Sequence, residues 1–164
     1  MSRKLVVDSS VFIALSRRGT LEQYLKQKKD EGYEVLIPRA IARELLYDPK
    51  RLAEEISEKS PVLAKKIMQS VEAIDAAIGH GLIRVETVNY RKYSRVADNV
   101  RKHLSQLEAM KEHTVKKGDP EIIVLIIQLH DKFKERISVS TSDKGLLRTL
   151  RAFRNVVEYE VLNH

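Results

Sequence analysis

Short apolar runs alternate with longer helical patterns, and polar turn residues close the runs, so the chain predicts an α/β fold. The runs are too short, and the segments between them too long and helical, for hairpins. A parallel sheet of about four or five short strands with helices on both faces satisfies both observations.

The elements follow in order. Residues 4–7 form a Val-rich run bounded by Asp8-Ser9-Ser10 and read as the first strand. Residues 11–15 open a helix, and Thr20 is placed to cap a second one through Lys29. Residues 34–37 read as the second strand. Pro38 fits the first turn of the next helix, whose apolar face is Ile41, Leu45 and Leu46. Residues 49–79 read as a helical hairpin inserted in the domain, with Pro49 and Pro61 at helix starts and Gly79 and Gly81 at its end. Residues 82–88 alternate enough for a short strand, and residues 90–117 read as a long polar helix with a break. After Gly118-Asp119-Pro120, the apolar stretch 122–129 suits a buried helix or a strand. The Asp-Pro order favours a helix with Asp119 at its N-cap. Residues 137–140 read as a strand, 144–153 as a helix and 156–159 as a closing strand. The whole length, 1–164, is expected to form one domain.

Composition narrows the chemistry. With 43% hydrophobic and 32% charged residues the chain belongs to the globular class. It has no cysteine, which excludes a disulfide framework, a Cys-ligated zinc site and a thiol nucleophile. No apolar run approaches the ~18 residues of a membrane span. The charged start, Met1-Ser2-Arg3-Lys4, does not resemble a signal peptide, so a cytoplasmic protein without membrane contact is expected. The net charge of +7 suggests a polyanionic partner, nucleic acid first. The same charge also serves simple solubility.

In parallel α/β sheets, sites form beyond the carboxyl ends of the strands. Asp8 follows the first strand, Asp143 follows the strand 137–140, Asp119 opens the apolar helix, and Glu44 lies in the helix after the second strand. Glu44 is about 60° around that helix from Ile41, bordering its apolar face. Each acid has an ordinary reading: a turn residue for Asp8, helix caps for Asp119 and Asp143. Together at one sheet edge they would repel one another unless cations intervened. Hard carboxylate oxygens suit Mg²⁺ or Mn²⁺, and such an ion can activate water and stabilise a phosphodiester transition state. The hydroxyls of Ser10 and Thr141 are placed to support the ligands.

Four pieces carry a family resemblance. They are Leu5-Val6-Val7-Asp8-Ser9-Ser10-Val11-Phe12-Ile13, Ile37-Pro38-Arg39-Ala40-Ile41-Ala42-Arg43-Glu44-Leu45, Gly118-Asp119-Pro120-Glu121-Ile122-Ile123 and Val139-Ser140-Thr141-Ser142-Asp143-Lys144-Gly145-Leu146. In this order they resemble the PIN-domain family of metal-dependent ribonucleases, which includes the VapC-type toxins. The resemblance implies a three-layer sandwich and an endoribonuclease. It makes Asp8, Glu44, Asp119 and Asp143 the catalytic metal ligands, with Glu121 as an extra candidate. It implies Mg²⁺ (or Mn²⁺) as cofactor, and Ser10 and Thr141 as supporting hydroxyls. It also raises a cognate antitoxin and a homodimer as partners beside an RNA substrate. Residues 49–117 are longer and more helical than in compact toxin members, which leaves toxin and RNA-processing roles both open.

Basic groups lie near these acids. Lys144, Arg148 and Arg151 share one helical face, and Lys116 and Lys117 lie within three residues of Asp119. All five are candidates for nucleic-acid phosphates, and all five equally suit a solvated surface. Tyr90 and Tyr93 can stack on bases or pack. The chain lacks HExxH, a P-loop, GxGxxG and GxSxG. Two alternatives to a ribonuclease stand: a non-catalytic PIN-like module that binds RNA or protein, and a structure-specific DNA nuclease.

Overall fold

The computed structural model describes residues 2–109 and 118–164, with side chains for 2–106 and 120–164. Five parallel strands form one sheet: β1 (Arg3–Val7), β2 (Tyr33–Pro38), β3 (Arg84–Glu86), β4 (Ile137–Ser140) and β5 (Tyr159–Val161), in the order β3-β2-β1-β4-β5. Seven helices lie among the described residues. They are α1 (Ser9–Arg18), α2 (Leu21–Asp30), α3 (Arg39–Ile56), α4 (Pro61–Gly79), α5 (Tyr90–Ala109), α6 (Gly118–Phe133) and α7 (Lys144–Ala152). The fold class is therefore the one the alternation of patterns predicts.

The burial of the strands explains the layering. Leu5, Val6 and Val7 are buried in succession, as are Ile137, Ser138, Val139 and Ser140. Successive side chains of a strand point to opposite faces, so both faces of the central strands are covered. The edge strands β3 and β5 are three residues each and carry Arg84, Glu86 and Glu160, a combination that discourages pairing with other chains. The stretch 122–129 is a helix, α6, with Ile122 to Ile126 fully buried between the sheet and helices α3, α5 and α7. A stripe continuous around the helix signals complete burial.

Several boundaries differ from the sequence reading, each for a physical reason. Pro49 does not start a helix. It lies inside α3, so the hairpin of α3 and α4 begins at Arg39. Pro49 has no N–H for the Leu45 carbonyl, but the apolar face of Ile41, Leu45 and Ala53 runs through it and holds the helix to its neighbours. Pro38 is the last residue of β2 and the N-cap of α3, extended at φ −76° and ψ 164°, not a first-turn residue. Thr20 takes the N-cap position of α2 without a side-chain capping bond. Helix α6 starts at Gly118, which puts Asp119 in its first turn and not at its cap.

The strand expected at 82–88 shrinks to Arg84–Glu86. The amides of Leu82 and Ile83 donate to the Ala77 carbonyl at the end of α4, and Gln128 of α6 takes the Thr87 carbonyl and the Asn89 amide. The closing strand shifts from 156–159 to Tyr159–Val161. The Val156 amide closes a turn onto Phe153, Val157 enters the core, and the ladder to β4 begins where Ile137 donates to Glu158. Helix α5 carries the expected break, at Tyr93 with φ −108° and ψ 21°. No helix of the described residues is long and apolar enough to cross a membrane.

Candidate functional site

The strand order supplies a fact that composition and spacing do not. From β1 the chain steps outward through β2 to β3, then returns to the other side of β1 as β4. The reversal opens a crevice at the carboxyl ends of β1 and β4, where ligands of such sheets bind. Asp8 closes β1 and Thr141 follows β4, and the two strands stay paired to their ends, with the Asp8 amide donating to the Ser140 carbonyl at 3.0 Å.

Asp8 is 3% exposed and is the N-cap of α1. Its Oδ1 accepts from the Ser9 amide at 2.7 Å, and its Oδ2 accepts from the hydroxyls of Ser10 and Thr141, each at 2.9 Å. Those hydroxyls accept in turn from the next loop: Thr141 Oγ1 from the Asp143 amide at 3.0 Å, Ser10 Oγ from the Ser142 amide at 3.3 Å. Each hydroxyl has one proton. The incoming amides fix the lone pairs and aim both protons at Asp8. The two strand ends are thereby tied through one carboxylate.

Asp143 is the N-cap of α7, and its Oδ1 accepts from the amides of Gly145 and Leu146 at 2.8 and 3.1 Å. A Cβ built on Gly145 would lie 3.2 Å from that oxygen, so the glycine leaves the carboxylate its place. Glu44 is half-buried on α3, about one helical turn beyond Ala40. Glu121 Oε1 accepts from the Ala40 amide at 3.2 Å and its Oε2 from the Tyr90 hydroxyl at 2.8 Å, which brings the first turn of α6 against the first turn of α3. The Asp119 side chain, and Lys116 and Lys117, lie outside the described residues. Among the described residues no three Asp, Glu, His or Cys side chains gather closely enough to hold a metal ion.

The donor set nonetheless suits a divalent cation. Asp8 is a buried carboxylate surrounded by hydroxyl and amide dipoles. Among the described residues it makes no ion pair, and neither does Asp143. Buried negative charge of this kind is ordinarily balanced by a cation.

The cations predicted from the sequence are exposed where the structure describes them. Lys144, Arg148 and Arg151 lie along α7 without an ion-pair partner among the described residues. Arg39 and Arg43 were not anticipated. They are exposed on α3, and Tyr47, 72% exposed, extends their row. Their spacing of four was legible as one helix face. Gly145 was missed as well, although Asp-x-Gly at a helix start is a readable pattern. His164 was also missed: its ring nitrogens lie 3.4 Å from Ser140 Oγ and 3.1 Å from Ser142 Oγ, a tertiary contact with no sequence signal.

Tyr93 packs: it is 6% exposed and donates to Asp131 at 2.9 Å. Burial first, and the Asp131 carboxylate second, push its hydroxyl pKa up to about 12. Tyr90 is 40% exposed, and burial together with Glu121 raises its pKa as well.

A crossover-linked parallel sheet with acids at its switch point defines a class of α/β domain with an acidic crevice. Comparison sharpens the class: the family model for the halobacterial PIN domain matches residues 1–160. The chain belongs to the PIN-domain family. Among solved structures it is similar to a chain in the crystal structure of VapBC2 from Rickettsia felis bound to a DNA fragment from their promoter. That match has 10% sequence identity and a TM-score of 0.50, and it covers 96% of this chain and 98% of that one. The likeness is one of fold. No curated protein sequence matches the chain.

Proposed function

We propose that this PIN domain is an endoribonuclease dependent on Mg²⁺ or Mn²⁺, with Asp8, Glu44, Asp119 and Asp143 as the metal ligands. One observation carries the reading: the buried Asp8 carboxylate at the switch point, held by Ser10, Thr141 and Ser9 without a basic partner among the described residues. A divalent ion bound there would activate water and neutralise charge developing on the phosphodiester.

The chain's own groups have distinct tasks. Ser10 and Thr141 fix the rotamer of Asp8. The amides of Gly145 and Leu146 fix that of Asp143. Helix α3 follows β2 and helix α7 follows β4, so in sheet order they flank the end of β1. Arg39 and Arg43 on one side, and Lys144, Arg148 and Arg151 on the other, hold the phosphates of a single strand across the crevice. Tyr47 offers a stacking face for a base. The cytoplasmic setting and the single domain belong to this reading. So does a toxin paired with an antitoxin, which the likeness to VapBC2 supports.

Matched single-stranded RNA and DNA oligonucleotides incubated with Mn²⁺, and with EDTA, test the proposal. Cleavage of RNA that needs Mn²⁺ supports it. Faster cleavage of DNA makes the chain a DNA nuclease. Binding of RNA without cleavage makes it a binding module.

A further inference from the structure

We propose that Glu121 is a positioning residue of the acidic crevice: held by Tyr90, it seats the first turn of α6 on the first turn of α3 and acts through backbone placement, not as a metal ligand. This rests on the metal-site reading above.

The sequence of α3 creates the need. Its N-cap is Pro38, which has no side-chain acceptor for the free amides of the first turn. A carboxylate from elsewhere is favoured there by the helix dipole. Glu121 provides it, Oε1 accepting from the Ala40 amide at 3.2 Å. Its other oxygen is held by the Tyr90 hydroxyl at 2.8 Å. Both oxygens are thus engaged by protein donors.

The placement matters because of what each helix carries. Glu44 is four residues beyond Ala40, so it moves with the backbone that Glu121 holds. Asp119 is two residues before Glu121, in the same turn of α6. The Ala40–Glu121 bond therefore sets the spacing between two proposed ligands that are 75 positions apart in sequence. Tyr90 is itself anchored. Gln128 accepts from the Asn89 amide at 2.7 Å and donates to the Thr87 carbonyl at 3.0 Å, and Tyr93 donates to Asp131. Glu121, Gln128 and Asp131 fall at i, i+7 and i+10 of α6, and every one of them bonds the 87–93 segment.

Mn²⁺ affinity, measured on the full chain by electron paramagnetic resonance of the free ion, separates positioning from ligation. Gln can still accept from the Ala40 amide and face the Tyr90 hydroxyl with its amide nitrogen, but it lacks the charge of a ligand. Positioning predicts that Glu121→Gln binds within about twofold of the parent, while Glu121→Ala binds about tenfold more weakly, as loss of a supporting partner does. Tyr90→Phe weakens binding, and adding it to Glu121→Ala changes nothing further, because both act through one bond. Glu121→Gln as weak as Glu121→Ala overturns the proposal in favour of ligation. Unchanged affinity in Glu121→Ala overturns it in favour of a purely local contact. If Glu121→Ala does not fold, the conservative pair decides: affinity kept in Glu121→Gln and lost in Tyr90→Phe supports positioning, and the reverse overturns it. Asp8→Asn is measured alongside. If Asp8→Asn binds Mn²⁺ like the parent, the metal-site reading fails too. If it does not bind and the Glu121 series departs from expectation, this inference alone fails.

Discussion

Replacing Thr141 by Val keeps the shape of a buried side chain and deletes one oxygen. That oxygen donates to Asp8 Oδ2 at 2.9 Å and accepts from the Asp143 amide at 3.0 Å, at a residue 6% exposed. Losing a hydrogen bond to a charged group costs about 1.5–3 kcal/mol, and an amide left without a partner in a dry site costs about 1–3 kcal/mol more. Water cannot easily replace either, so the expected loss is about 3–4 kcal/mol. For a chain of this size that lowers Tm by roughly 10 °C. Ser10→Ala deletes the same two kinds of bond, but Ser10 is half-buried and Ser142 exposed, so water substitutes and the cost falls to about 1 kcal/mol. Thr141→Ser keeps both bonds and loses only a methyl, about 0.8 kcal/mol. Urea unfolding followed by circular dichroism reads all three, with the midpoint moving at constant slope. A Thr141→Val cost below about 1 kcal/mol, or one equal to that of Ser10→Ala, refutes the idea that these hydroxyls tie the two strand ends through Asp8.

Three further outcomes are expected. Pro49→Ala restores the amide for the Leu45 carbonyl and relieves the ring's clash in α3. Part of the ~3 kcal/mol that an interior proline costs is recovered, less the extra chain entropy of the unfolded state, and the midpoint of urea unfolding should rise. Stability should fall as pH rises from 10 to about 12: the folded Tyr93 hydroxyl keeps its proton there while the unfolded one releases it. Tyr93→Phe should flatten that decline in a pH series of thermal melts. Replacing Arg148 and Arg151 by Gln should weaken binding of single-stranded RNA similarly across sequences and reduce the slope of log affinity against log salt by about 1.4, measured by fluorescence anisotropy.

How much of this was legible in the sequence varied with the range of the forces involved. Asp8 and Asp143 were readable because a strand and its closing acid are neighbours, and the sheet rule puts both at one edge. The helix of 122–129 was readable through Asp119-Pro120. Pro49 misled because its local tendency is to break a helix, and the burial of Leu45 and Ala53 that overrides it is tertiary. The closing strand moved because Val156 is taken up by the turn onto Phe153 and Val157 turns into the core before the ladder to β4 begins. The switch point itself depends on strand order, which no local pattern encodes. The Tyr90–Glu121 bond joins residues 31 positions apart, and the contact between Glu121 and the Ala40 amide is likewise tertiary, so neither has a local signal.

The central claim is that the carboxylates at the β1–β4 crevice bind a divalent ion and so cut RNA. The most direct measurement is the rate of Mn²⁺-dependent cleavage of single-stranded RNA by the parent and by Asp8→Asn, with the variant's folding checked by circular dichroism. The account predicts cleavage by the parent and a loss of more than about a hundredfold in the folded variant, beyond what supporting partners alone are worth. Equal rates in the two proteins would contradict it.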